Sequence, residues 1–133
     1  MSETIPMPVV LLADDDPDYL FQIRFALEKS GFKVVAFESQ EETELYLAKT
    51  RPDIAIFDLM MERDDSGFIL AFHARKKYPD LPVVLLTAVT AETGRKFGLG
   101  EKDPNSWIKA DLILEKGILP ETLVSHIKQL VKG

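Results

Sequence analysis

Short runs that are apolar at every position constrain this chain more than any other feature. They are Val9-Val10-Leu11-Leu12-Ala13, Ile54-Ala55-Ile56-Phe57 and Pro82-Val83-Val84-Leu85-Leu86. A strand with one wet face alternates polar and apolar residues, whereas a strand covered on both faces does not. Stretches of helical period lie between the runs. Leu20, Ile23, Ala26 and Leu27 share one face of a helix predicted over Asp18 to Ser30, and Gly31 is its stop. Lys33 to Phe37 is β-branched and apolar, hence a strand. Ser39 and Glu42 form a capping box for a helix that carries Leu45, Tyr46 and Leu47 and ends before Arg51-Pro52. Gly67 to Tyr78 is a third helix, with Phe68, Leu70, Ala71, Phe72 and Ala74 as its apolar surface. Val89 to Ala110 holds no sustained period, although Asp103-Pro104 predicts a short helix through Trp107 and Lys109. Leu112 to Leu114 is a short fifth strand, and Pro120 opens a last helix with Leu123, Val124, Ile127, Leu130 and Val131 in register. Five strands alternating with helices make an α/β chain with a doubly wound parallel sheet.

The 133 residues fit one domain, with no linker, repeat or output domain expected. Sixteen basic against 22 acidic residues give a net charge of −6, which disfavours direct nucleic-acid binding. No apolar run approaches the roughly 20 residues of a membrane span, so no membrane insertion is expected. Met1 to Pro6 lack a basic, apolar signal segment, and the chain has no cysteine, which fits a cytoplasmic setting. His73 and His126 sit on separate helices without an obvious acidic neighbour and are expected to be exposed rather than metal ligands. Met60 and Met61 are expected to pack.

Polar groups gather where the strands end. Asp14, Asp15 and Asp16 follow the first run, Asp58 the third strand, Thr87 the fourth and Lys116 the fifth. Parallel strands bring their carboxyl ends to one edge, where ligands bind. Carboxylates that converge there repel unless a cation sits among them, and a sparse set of oxygen donors suits Mg²⁺ with phosphate oxygens as further ligands. Asp58 is placed to act as a nucleophile forming an aspartyl-phosphate. Lys116 can reach the phosphoryl group as a point charge, the Thr87 hydroxyl can donate to it, and the Met60 carbonyl can add a metal ligand.

This constellation resembles the receiver domain of two-component response regulators. Asp14-Asp15-Asp16-Pro17 resembles the family's D-D-E-P, Asp58-Leu59-Met60-Met61 its D-x-M-M, and Thr87 and Lys116 match its strand-end Ser/Thr and Lys. The resemblance covers about residues 8–132 and implies a flavodoxin-like sheet of strand order 2-1-3-4-5 with helices on both faces. It implies Mg²⁺ held directly by Asp15 and Asp58, through water by Asp14, and by the Met60 carbonyl. It implies phosphorylation of Asp58 by a histidine kinase or phosphotransfer protein, with signalling through protein contacts by a monomer or weak dimer. Enzyme activity is limited to self-catalysed phosphoryl transfer and autodephosphorylation. The chain departs from the pattern in five ways: Glu62 replaces a proline, Asp65-Ser66-Gly67 stands where a D-G loop motif is usual, Gly117 follows the lysine where a proline is usual, Ile113 replaces an aromatic ring, and Thr87 to Lys116 is longer than usual. Two other readings stay open. One is a haloacid dehalogenase-like phosphohydrolase using Asp14 as nucleophile. The other is a receiver-like binding module that is not phosphorylated.

Overall fold

A computed structural model describes residues 7–61, 65–88 and 111–132. Glu62 and the helix expected through Trp107 and Lys109 lie outside these residues. In chain order the elements are β1 (Val9–Ala13), α1 (Pro17–Lys29), β2 (Lys33–Phe37), α2 (Gln40–Lys49), β3 (Ile54–Asp58), α3 (Ser66–Lys77), β4 (Val83–Thr87), β5 (Leu112–Glu115) and α4 (Pro120–Lys132). The five strands are all parallel, in the order β2-β1-β3-β4-β5. Both the strand order and the fold class agree with the sequence reading.

Strand side chains alternate between two cores, as the period of 2 requires. Val10, Leu12, Ile54, Ile56, Val84 and Leu86 face α1 and α4, meeting Leu20, Ile23 and Leu27 from one helix and Leu123, Val124 and Ile127 from the other. Leu11, Ala13, Ala55, Phe57, Val83 and Leu85 face α2 and α3, meeting Leu47, Phe68, Leu70, Ala71 and Ala74. The central strands are therefore covered on both sides, which is why their sequences are apolar without alternation. Each fully buried Leu, Ile or Phe contributes roughly 1.5–3 kcal/mol.

The helix ends follow local chemistry. Asp16 caps α1, its carboxylate accepting from the N–H groups of Asp18 (3.0 Å) and Tyr19 (3.4 Å), with Pro17 in the first turn. At the other end the Gly31 N–H donates to Glu28 O and the Phe32 N–H to Leu27 O, a Schellman arrangement. It needs a left-handed residue, and Gly31 has φ 99°. Ser39 caps α2 through the Glu42 N–H at 3.2 Å. Asp111 ties β5 into the sheet: its Oδ2 accepts from the Val83 N–H at 2.8 Å and from Arg75 Nη1 at 3.0 Å.

Some helix positions differ from the expected faces. Leu45 on α2 and Phe72 on α3 are exposed, while Thr43 is buried and donates to Ser39 O at 2.7 Å. A one-dimensional apolar pattern cannot place a helix edge that no neighbour covers.

Candidate functional site

The register brings the polar strand ends to one edge. Ala13 pairs with Phe57, so Asp14 lies level with Asp58; Asp58 pairs with Leu86, one residue before Thr87; Thr87 pairs with Glu115, one before Lys116. Oxygens of Asp14, Asp15 and Asp58 all lie within 4.8 Å of one another. Asp14 and Asp58 are buried and Asp15 is exposed.

The three consecutive aspartates do three different things. Asp14 points inward: its Oδ1 accepts from the Asp16 N–H at 2.8 Å, and its Oδ2 lies 2.8 Å from the Lys116 ammonium. That second oxygen is buried and makes no regular hydrogen bond among the described residues, so the ion pair answers its charge. Asp15 faces outward into the open side of the cluster. Asp16 is the helix cap and is not one of the three clustered acids.

Lys116 reaches across the edge from β5. Its ammonium is 3.6 Å from Asp58 Oδ2 and lies over the Tyr19 ring, 4.5 Å from the centroid. The Lys116 N–H donates to the Thr87 carbonyl at 2.9 Å, joining the two strand ends. Burial pushes the ammonium pKa down, but contact with Asp14 and the charges of Asp58 and Asp14 outweigh it, and the net shift is upward.

Asp58 is raised from 3.8 to about 7. Burial is the main cause and the Asp14 charge the next; Lys116 and the Met60 N–H, which donates to the carboxylate, pull the other way. Among the described residues the pocket therefore holds more negative charge than the Lys116 ammonium offsets. Three carboxylates whose oxygens lie within 4.8 Å of one another are a donor set that a hard divalent cation completes, so these residues fit Mg²⁺.

Thr87 is buried beside the cluster. Met60 reaches the site through its backbone N–H, while its side chain is exposed; Met61, not Met60, is the one that packs. Ile113 is half-buried against the second core. No cis peptide bond occurs among the described residues, so Gly117 follows Lys116 through a trans bond.

His73 corrects the sequence reading in one respect. It is exposed as expected, but its Nδ1 lies 2.9 Å from Glu44, so it does have an acidic neighbour. The pairing joins residues 29 apart on adjacent helices, which no local spacing reveals. The sequence reading missed what two residues contribute to the site. Tyr19 sits in the first turn of α1, in the position that a cap at Asp16 turns toward the strand ends. Gly67 lets α3 approach the loop after β3: a Cβ there would meet Asp58 O and Leu59 Cα, both at 2.6 Å. Its N–H donates to Leu59 O at 2.8 Å.

A groove of about 950 Å³ between α1 and α4, lined by Phe21, Phe25 and Val124 among others, is separate from this cluster. It offers no convergent carboxylates.

Known proteins resemble the chain along nearly its whole length. The family model for the response regulator receiver domain matches residues 10–128. The response regulator GtcR of Aneurinibacillus migulanus is 30% identical over 128 residues, 96% of this chain and 47% of that protein. The heme response regulator HssR of Staphylococcus saprophyticus is 31% identical over 126 residues, 95% of this chain and 52% of that protein. The chain thus spans about half the length of the curated relatives it matches. Among solved structures, the response regulator TrrA of Thermotoga maritima, in complex with Mg²⁺-BeF, is 27% identical with a TM-score of 0.77, covering 93% of this chain and 99% of that one. A CheY-like receiver domain protein from Methanospirillum hungatei shares the fold at a TM-score of 0.80 and 21% identity, covering 96% and 95%. With a parallel 2-1-3-4-5 sheet, acidic residues converging at its carboxyl edge and a family match over residues 10–128, the chain belongs to the response regulator receiver domain family.

Proposed function

We propose that this chain is a phosphorelay switch in which Asp58 accepts a phosphoryl group from a histidine kinase or phosphotransfer protein. The observation that carries the reading is the single ammonium of Lys116 held between two buried carboxylates, 2.8 Å from Asp14 and 3.6 Å from Asp58. It leaves Asp58 beside a cation while a third carboxylate, Asp15, faces the open side.

An Asp58 oxygen bonds to phosphorus as the donor's P–N bond breaks, and the electron pair leaves with the imidazole. Asp14, Asp15 and Asp58, with the Met60 carbonyl, would hold Mg²⁺. Bound there, the ion supplies charge neutralisation for the phosphoryl oxygens. Lys116 follows the transferred group, exchanging its contact with Asp58 for a phosphoryl oxygen. The Thr87 hydroxyl donates to another. The Met60 N–H, which already donates to the Asp58 carboxylate, fixes the orientation of the nucleophile.

Asp14 is a poor candidate for the phosphohydrolase nucleophile. It is fully buried, and both its oxygens are engaged, one by the Asp16 N–H and one by Lys116. The switch acts through protein contacts in the cytoplasm. Intact-mass spectrometry after incubation with acetyl phosphate and Mg²⁺ tests the reading. The wild type is expected to gain one phosphate and Asp58→Asn none; no gain by the wild type would favour the binding-module reading.

A further inference from the structure

We propose that Tyr19 is a positioning residue for Lys116, its ring face holding the ammonium in place over the acidic cluster. A lysine has a long flexible stem and a freely rotating ammonium, so it acts as an aimed charge only if its surroundings confine it. Asp14 and Asp58 confine it from one side. The Tyr19 ring, 4.5 Å from Nζ, confines it from another. An ammonium at that distance from a ring face is attracted to the ring's negative quadrupole.

The ring is itself held. Tyr19 is half-buried and packs against the core formed by α1, α4 and the sheet. Its backbone N–H donates to the Asp16 cap, so the same aspartate run that supplies the site also sets the tyrosine's turn. The hydroxyl gives a second, independent sign that the ring is the part in use. It is buried and has no hydrogen-bond partner among the described residues. A buried hydroxyl without a partner is a burden on the fold. What the side chain offers at this position is an aromatic face toward a cation.

The kinetic consequence rests on the Asp58 reading, since it concerns the charge presented to the incoming phosphoryl group. The placement of Lys116 does not, and the two are tested separately. In the first test, the Lys116 ε-methylene protons are assigned by NMR without any phosphodonor. Ring-current shielding is expected to move them upfield in the wild type and in Tyr19→Phe, and to vanish in Tyr19→Leu. Unshifted protons in the wild type would overturn the proposal whatever the fate of Asp58.

In the second test, phosphorylation by acetyl phosphate is followed with Mg²⁺ present. Tyr19→Phe keeps the ring face and is expected to match the wild type while melting no lower. Tyr19→Leu is expected to slow the reaction roughly 2- to 30-fold, the range that a cation–π contact confers. In a Lys116→Ala background the same change is expected to have no further effect, because the ring then has nothing to position. Equal slowing by Tyr19→Leu with and without Lys116 would mean that Tyr19 only supports the fold. No phosphorylation of the wild type would refute the Asp58 reading and leave the NMR result to decide the placement.

Discussion

Asp58→Asn is expected to stabilise the protein in the absence of divalent cations. The carboxyl is raised from 3.8 to about 7, first by burial and then by Asp14, so the folded state holds the ionised form at a cost. At about 1.4 kcal/mol per unit, that shift sets a ceiling of about 4 kcal/mol. The site opens at the sheet edge, where water screens it, so about 2 kcal/mol at pH 8 is a fairer figure. For a chain of this size it corresponds to a rise in Tm of about 6–10 °C. The sign follows from linkage: an acid whose folded pKa is raised destabilises the fold fully above that pKa, and the penalty fades as pH falls from about 7 toward 3.8. The advantage of the asparagine variant at pH 8 is thus expected to be smaller at pH 5.5 and to fade further toward pH 3.8. Lys116 keeps its closer partner, Asp14, so the substitution does not strand the ammonium. Thermal unfolding of both proteins in EDTA at the two pH values measures the effect. Adding Mg²⁺ is expected to raise the wild type more than the variant, since a cation that binds only the native state stabilises it. No gain at pH 8, or one that is the same at pH 5.5, would refute this electrostatic reasoning.

Three other outcomes are open to measurement. Asp15→Ala is expected to weaken Mg²⁺ binding by about tenfold or more, the scale on which even indirect partners of a metal matter, while leaving the metal-free fold intact or more stable; unchanged affinity in a calorimetric titration would count against the site. Gly67→Ala is expected to cost about 1–3 kcal/mol and to slow phosphorylation, because its Cβ would sit 2.6 Å from Asp58 O and Leu59 Cα; an unaltered Tm would show that α3 does not need this close approach. Beryllofluoride, a phosphoryl mimic, is expected to change hydrogen exchange between Val89 and Leu112, a segment that Thr87 leads into and of which residues 89–110 lie outside the described ones; changes confined to the loop after Asp58 would place signalling elsewhere.

The sheet was legible because burial on both faces leaves a direct mark, a run with no polar interruption, as in Ile54 to Phe57. The site was legible because carboxylates crowd into strand ends only where something offsets their repulsion, and Asp14, Asp15 and Asp58 do converge. The division of labour within the aspartate run was not. Three identical side chains become an ion-pair partner, an exposed acid and a helix cap through backbone direction alone. Contacts between distant segments left no local trace either: Lys116 over Tyr19, Asp111 on Val83 and Arg75, and His73 beside Glu44. Gly67 was read as part of a loop motif, yet its missing side chain matters because another backbone passes where a Cβ would stand. Surface rings were equally hidden, for Phe21 and Phe25 stack at 6.5 Å on the uncovered side of α1.

The central claim is that Asp58 carries the phosphoryl group, and locating the modified residue tests it most directly. After incubation with acetyl phosphate and Mg²⁺, borohydride reduction converts an aspartyl-phosphate to homoserine, which peptide mass spectrometry places in the sequence. Homoserine is expected at position 58 in the wild type and at no aspartate in Asp58→Asn. Homoserine at position 14, with Asp58 unmodified, would contradict the account.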